Sequence, residues 1–153
     1  MNTLIQEIVS KRFQPIIGDA GGTSGVVHLR DRLKRVLWEK VGIVRRQDGL
    51  EEGIQEIDDI RNGLPGLRAD KPSDVCKILE CRNAVQVGKA VALAALPRTE
   101  SRGAHFREDF PKEDETWRKH IHVRLKDGAL SVSRIVAVED GSDGQSADRT
   151  EGA

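Results

Sequence analysis

The sequence predicts a mainly α-helical protein: a three- to four-helix bundle, similar to a spectrin repeat, with a small C-terminal β-hairpin. Three observations support this fold class. Apolar residues recur at helical spacing in several segments before residue 97. After residue 118 polar and apolar residues alternate instead, which is the period of a strand. Aromatic residues make up only 3% of the chain, with no tyrosine, so leucine, isoleucine, valine and alanine must form the core.

Two helices are predicted in the N-terminal third of the chain. The first covers Thr3 to Phe13 and is followed by the stretch QPIIGDAGGTSG, whose proline and four glycines should break a helix. The second begins at Val27 and ends near Gly42. Its apolar residues fall at i, i+4, i+7 and i+8 and form one stripe: Leu29, Leu33, Val36 and Leu37.

Two further helices are predicted before residue 97. One runs from Leu50 to Ile60, with apolar residues on one stripe. The longest runs from Pro72 to Leu96 and contains AVALAAL, which is alanine-rich enough for close contact with a neighbouring helix. Pro97 should stop or kink it, because proline cannot donate the backbone hydrogen bond that a helix interior needs.

The C-terminal part of the chain predicts a hairpin and then a disordered tail. HIHVRL and ALSVSRIVAV alternate in polarity and are joined by a Lys-Asp-Gly turn signal at Asp127 and Gly128. The segment GSDGQSADRTEGA has almost nothing to bury. We therefore expect residues 1–26 to form a helix and connector, residues 27–138 the helical domain with its hairpin, and residues 139–153 a disordered tail.

Composition argues against several classes of function. Lysine plus arginine equals aspartate plus glutamate at 25 each, so no overall field attracts nucleic acid. No segment approaches the ~20 apolar residues of a membrane span, and the N-terminal segment does not read as a signal peptide. Cys76 and Cys81 stand five apart, which suits buried, reduced thiols rather than a disulfide. A cytoplasmic location and no direct membrane insertion are expected.

Four weaker signals favour ordinary structural roles. GDAGGTSG lacks the lysine of a phosphate-binding loop, so a connector is favoured. His120 and His122 share one strand face and could bind zinc with His105, but no supporting ligand pattern exists. Ser101 and His105 have no evident third group for a catalytic arrangement. A run of basic residues could indicate nucleic-acid binding, but acidic residues lie among them and no platform of aromatic residues accompanies them on which bases could stack. That run comprises Arg30, Arg32, Lys34, Arg35, Lys40, Arg45 and Arg46.

The most informative stretch is PRTESRGAHFREDFP, from Pro97 to Pro111. It places arginines, acids and a histidine around one glycine, directly after the most apolar part of the chain. Balanced charges of this kind suit a docking surface that fixes orientation. We refer to this stretch as the motif segment; its candidate residues are Arg98, Glu100, Ser101, Arg102, Gly103, His105, Arg107 and Asp109.

Three strings together resemble the C-terminal helical domain of the succinate dehydrogenase/fumarate reductase flavoprotein family, which also includes L-aspartate oxidase. They are LRDRLKRVLWEKVGIVRRQDGLEEGIQEI, ECRNAVQVGKAVALAAL and RTESRGAHFREDFPKEDETWRKH, in that order. The resemblance covers roughly Leu29 to Val136. Pro97 departs from it, since the family usually carries another residue there.

The resemblance implies a part of an enzyme that transfers hydride between FAD and a four-carbon dicarboxylate. The sequence has no GxGxxG after a strand and no capping domain, so a fragment, a split subunit or a free-standing relative is expected, inactive alone. FAD would then lie on a partner flavin-binding domain or subunit of the same enzyme, through which the chain could be peripheral to a membrane. The alternatives are the same domain of an L-aspartate oxidase and a stand-alone protein-interaction module.

The resemblance also implies a role for the motif segment. It would lie where the helical domain meets the flavin-binding domain, with no catalytic, cofactor or metal residues of its own. Gly103 would adopt a backbone conformation closed to other residues. Without its partner domain, the segment should be less ordered than the helices before it.

Overall fold

The computed structural model describes residues 22–69 and 72–138. Its main elements are three helices: α1 (Gly22–Lys40), α2 (Gln47–Gly63) and α3 (Pro72–Ala95). They confirm the mainly α prediction, and α2 extends three residues beyond the predicted helix at each end. The helix predicted for Thr3 to Phe13 and the tail predicted for residues 139–153 lie outside the described residues.

The hydrophobic core lies between the three helices. The side chains that fill it are the branched aliphatic residues that the apolar stripes predict, together with one cysteine. Examples that are at least 97% buried are Leu33 and Val36 of α1, Leu50, Ile57 and Ile60 of α2, and Ile78, Cys81 and Val85 of α3. Helices α1 and α3 approach closely at Gly88, where a Cβ would lie 2.9 Å from Leu37 Cδ2, so the Leu37 side chain packs directly over this glycine.

Helix α1 begins five residues before the predicted start at Val27. The connector prediction is therefore wrong for residues 22–26, which are helical. Val26 is buried in the core, and a Cβ on Gly25 would lie 3.1 Å from the Leu67 side chain. Glycine has a low helix propensity, which opposes a helix at Gly25. The burial of Val26 and the close packing of Gly25 against Leu67 outweigh this effect.

A short parallel strand pair joins the α1–α2 connection to the motif segment. Strand β1 (Val44–Arg45) pairs with β2 (Phe106–Arg107), with Val44 opposite Phe106. The Phe106 amide donates to the Ile43 carbonyl at 3.1 Å, and the Glu108 amide donates to the Arg45 carbonyl at 2.9 Å. The sequence pattern does not predict this pair, because two residues are too few to show alternation.

The predicted hairpin is present as β3 (Lys119–Lys126) and β4 (Ala129–Ala137), paired antiparallel. Its turn residues, Asp127 and Gly128, both have positive φ, as a tight two-residue hairpin turn requires. Both strands contact α3, and Arg61 Nη1 of α2 donates to the Gly128 carbonyl at 3.2 Å. The hairpin is therefore held against the bundle. None of the described helices is long and apolar enough to cross a membrane.

Candidate domain-interface site

The motif segment turns back onto the end of α3 instead of extending into solvent. Three of its eight candidate residues, Glu100, Ser101 and Arg107, are at least 92% buried within this domain. In this conformation these three side chains cannot contact another domain, which corrects the prediction that all eight form a surface. The reason is that the charges of the segment pair with one another and with the end of α3.

Arg107 holds the segment to α3. It is 1% exposed, and its Nη1 donates to the carbonyl of Ala95, the last residue of α3, at 3.4 Å and to those of Leu96 and Arg98 just after it at 3.0 Å each. Its Nε and Nη2 donate to the two carboxylate oxygens of Asp109 at 2.7 Å each. The last carbonyls of a helix have no partner within it, so this guanidinium supplies the donors that the end of α3 lacks.

Glu100 is the acceptor at the centre of a second cluster. Its fully buried carboxylate accepts hydrogen bonds from Arg98, from Arg102 Nε at 3.1 and 3.2 Å, and from the Asp114 amide at 2.9 Å. Burial alone would raise the pKa of Glu100. The bonds from Arg102, the Asp114 amide and Arg98 outweigh burial and hold the pKa below its usual value. Glu100 therefore stays ionised in the folded domain.

Ser101 and His105 are not paired with each other. Ser101 Oγ accepts from the Arg107 amide at 2.8 Å and donates to the Phe110 carbonyl at 2.8 Å. His105 Nδ1 instead lies 2.6 Å from Arg45 Nη1. Both side chains therefore fix the shape of the segment, and the geometry gives Ser101 no base to activate it as a nucleophile.

The contact between His105 and Arg45 fixes the state of the imidazole. A guanidinium only donates, so Nδ1 accepts and the ring proton is on Nε2, which faces the Arg98 carbonyl at 3.4 Å. Burial lowers the pKa of His105, and the charge of Arg45 lowers it further. Burial and Arg107 also lower the pKa of Arg45. A neutral His105 thus connects the α1–α2 connection to the motif segment.

Gly103 occupies the turn at the tip of the segment. Its φ is +57°, which confirms the predicted need for glycine. Arg102 and His105 on either side exchange backbone hydrogen bonds of 2.8 and 3.0 Å. The turn is therefore tight, and it leaves Gly103 and Ala104 exposed.

An exposed apolar surface flanks the motif segment, and the sequence reasoning did not identify it. Trp38 is 85% exposed, Ile43 65%, Val44 54% and Phe106 39%. Val44 and Phe106 lie opposite each other in the β1–β2 pair, while Trp38, Ile43 and Val44 line one open groove of about 1340 Å³. We call these four residues the apolar patch. The signal in the sequence is that Trp38 and Ile43 lie outside the apolar stripe of α1.

The weaker candidate sites have ordinary surroundings. His120 and His122 are exposed on β3, whereas His105 contacts Arg45, so the three histidines do not form one cluster. No group of three or more potential metal ligands occurs within residues 22–69 and 72–138. Several basic residues near the start of the chain pair with acids, as Arg32 does with Asp59 at 3.8 Å.

The two cysteines are free thiols on α3. Cys81 is buried, and burial raises its pKa. Cys76 is exposed, so the prediction that both thiols are buried is wrong for this position. Five residues of helix place the two side chains on different faces, and only one of those faces the core.

Comparison with known proteins gives one consistent result. Residues 30–139 match the family model described as fumarate reductase flavoprotein C-term. An FAD-dependent oxidoreductase of Methanocaldococcus jannaschii is 37% identical over 79% of this chain and 22% of its own length. The succinate dehydrogenase flavoprotein subunit of Rickettsia bellii is 33% identical over 76% of this chain and 20% of its own length. The chain thus spans about a fifth of the length of these relatives.

Solved structures share the fold. A mutant of E. coli quinol fumarate reductase FrdA superimposes with a TM-score of 0.79 at 20% identity, over 94% of this chain and 26% of its own. Sdh1 of Mycobacterium smegmatis gives a TM-score of 0.73 at 24% identity, over 88% of this chain and 23% of its own. The match to the family model shows that this chain belongs to the fumarate reductase flavoprotein C-terminal family, whose relatives include succinate dehydrogenase and fumarate reductase flavoprotein subunits.

Proposed function

We propose that this chain is the helical domain, or a separate helical subunit, of an FAD-dependent oxidoreductase acting on succinate or fumarate. The observation that carries the proposal is the family match over residues 30–139. The relatives that support the substrate class are named as succinate dehydrogenase and fumarate reductase flavoprotein subunits. We therefore prefer this function to an L-aspartate oxidase and to a stand-alone interaction module.

The described residues do not fit FAD. A dinucleotide site needs a strand, a glycine-rich turn and a helix N-terminus that receives the pyrophosphate. Over residues 22–69 and 72–138 the strands form only the β1–β2 pair and the hairpin. Strand β1 leads into α2 through Arg46 alone, without a glycine-rich turn. The flavin would therefore be held by another domain or subunit, and this chain would not be catalytic alone.

The apolar patch is the contact we assign to the flavin-binding domain. Trp38 exposes 85% of its surface, and aromatic residues of this kind are enriched at the centres of protein interfaces. Phe106 belongs to the motif segment, so the buried Arg107 and Glu100 clusters hold part of the patch in place. The exposed residues of the segment, including Gly103 and Glu108, would form the polar rim.

The first test is the flavin content of the chain purified alone. We expect no yellow flavin absorbance and no fumarate-dependent oxidation of a reduced dye. Either signal from the isolated chain would show that it binds the cofactor itself, and would contradict the assignment of FAD to another domain.

The second test places this domain in a working enzyme. In the Rickettsia bellii flavoprotein subunit, the matching segment is exchanged for residues 22–138 of this chain. We expect the chimera to keep its bound FAD and its succinate-dependent dye reduction. The double variant Trp38→Ser with Ile43→Ser should lower both the FAD content and the rate of dye reduction. Val27→Ser is the matched control, since Val27 is 41% exposed on the same helix, about 16 Å from Trp38 along its axis. Equal losses in the control would argue against the apolar patch as the contact.

A further inference from the structure

The outward face of the hairpin carries basic side chains from both strands. Along β3 they occupy every second position, so they point to the same side, and all are exposed: His120, His122, Arg124 and Lys126. On β4, Arg134 lies opposite His122, and Ser131 lies opposite Arg124. Residues directly opposite in an antiparallel pair share a face. We call this surface the basic hairpin face.

A bulge brings the cations of the two strands around one depression. The register shifts between His122 and Val123, and Ser133 is the extra residue on β4. Ser133 Oγ donates to the His122 carbonyl at 3.1 Å. A shallow cavity of about 570 Å³ lies here, and Arg124 and Arg134 are among its lining residues. Two guanidinium groups and a hydroxyl therefore border one concave area, which is a suitable arrangement for binding carboxylates.

Among residues 22–69 and 72–138, these cations have no acidic partner. Lys119–Ala137 contains four lysines and arginines but one acid, Asp127 in the turn. Within the described part of the chain, Arg124, Lys126 and Arg134 form no salt bridge, whereas several cations of the helices do, as Lys89 does with Asp58 at 2.5 Å. The basic hairpin face is thus a local positive field on a chain whose total charge is zero.

We propose that the basic hairpin face is a docking surface for an acidic, extended segment of a partner protein. Alternate side chains of β3 are about 7 Å apart, which matches carboxylates at alternate residues of an extended peptide. Charge complementarity identifies the partner as acidic. The hairpin contains no phenylalanine, tyrosine or tryptophan on which bases could stack, which argues against a nucleic-acid partner. The proposal does not depend on the proposed enzymatic function.

Edge protection is the competing explanation for these charges. Charged side chains on short edge strands prevent sheets from pairing with one another, and this role requires no partner. Charges that only protect an edge would attract an acidic peptide no more than other exposed cations of the chain do, so a comparison of hairpin variants with α1 variants separates the two explanations.

The experiment measures binding of the full chain to a fluorescently labelled peptide of alternating glutamate and serine. Fluorescence anisotropy is recorded at low salt, against a peptide with glutamine in place of glutamate. We expect only the acidic peptide to bind, and Arg124→Glu with Arg134→Glu to weaken binding at least about tenfold. Arg124→Gln with Arg134→Gln should weaken it less, and provides a second variant if charge reversal disturbs the fold. Lys34→Glu with Arg35→Glu is the matched control: it makes the same change in net charge on α1 and should weaken binding by less than about threefold.

Three results would overturn the proposal. One is no binding of the acidic peptide by the wild-type chain. Another is an equal loss of binding in the hairpin and α1 variants, which would show an effect of net charge alone. The third is tighter binding to phosphatidylserine vesicles or to a DNA duplex than to the peptide, with the same dependence on Arg124 and Arg134, because the surface would then recognise a different class of partner.

Discussion

At the scale of single residues, two buried charges determine the shape of the motif segment. Arg107 donates hydrogen bonds to carbonyls at the end of α3. Glu100 accepts hydrogen bonds from Arg98, Arg102 and the Asp114 amide. Removing one partner of a buried ion pair is costly, because the other charge remains desolvated and unpaired. The stability of the segment therefore depends on these groups more than on the many exposed ion pairs.

Replacing Glu100 should destabilise the domain strongly. We expect Glu100→Ala to lower the free energy of unfolding by about 3 kcal/mol, because two guanidinium groups and one amide lose a buried acceptor. Urea denaturation followed by circular dichroism measures this. Glu113→Ala is the control, since Glu113 is 63% exposed in its pair with Arg102 and should change stability by less than about 1 kcal/mol. Similar losses in the two variants would show that Glu100 is not the centre of the cluster.

His105 should make stability depend on pH below neutrality. Its pKa is lower in the folded state than in the unfolded chain, so at falling pH the unfolded chain takes up a proton first. The stability that the neutral ring provides is complete above the unfolded pKa of about 6.5 and is lost as the pH falls towards the folded pKa. We expect His105→Gln to lose less stability than the wild type between pH 7.5 and 5.5. His120→Gln, an exposed control, should keep the wild-type pH dependence; equal slopes in all three proteins would contradict this.

At the scale of elements, the backbone path from α1 to α2 depends on one small residue, Gly42. Helix α1 ends at Lys40, and a Cβ on Gly42 would lie 2.7 Å from the Trp38 carbonyl oxygen. A real Cβ does not approach a backbone oxygen so closely, so any larger residue must move the chain. This path leads directly to Ile43 and β1, and thus to the apolar patch.

Gly42→Ala should therefore destabilise the domain by about 1–3 kcal/mol, since the backbone of α1 cannot move aside as a flexible side chain can. Gly66→Ala is the matched control, because a Cβ there meets nothing within 4 Å. Thermal unfolding of both variants provides the comparison. A control variant that is as unstable as Gly42→Ala would show that loss of glycine, not the contact with Trp38, causes the effect.

At the scale of the whole molecule, the motif segment belongs to the bundle, although it follows the last helix. Backbone hydrogen bonds connect it to the α1–α2 connection, through Phe106 to Ile43 and Glu108 to Arg45. The sequence alone leads to the opposite expectation, a segment that is less ordered when its partner domain is absent. The structure provides local partners that the sequence does not reveal.

We therefore expect slow hydrogen exchange in the motif segment of the chain alone. The amides of Arg102, Phe106 and Glu108 should exchange at rates close to those of the α3 interior, because each donates to a carbonyl of this domain. Residue-resolved exchange by NMR is the measurement. Exchange as fast as in an unfolded peptide at these three amides would instead support the looser segment that the sequence suggests.

The sequence by itself determined the elements that depend on local periodicity and turn chemistry. The apolar stripes of α1 and α2, the stop near Pro97, the turn at Asp127 and Gly128, and the need for glycine at position 103 all follow from residue types at fixed spacing. The family resemblance likewise rests on an unusual string of residues and does not depend on tertiary structure.

Tertiary structure alone decided which charges of the motif segment are buried and which residues face a partner. Sequence spacing cannot show that Arg107 reaches the end of α3, or that His105 meets Arg45 sixty positions away. Helical stripes also cannot identify Phe106 and Val44 as neighbours, because only the β1–β2 pair brings them together. Long-range contacts depend on how the elements pack. Packing therefore decides whether a charged residue such as Arg107 caps the end of a helix or contacts another protein.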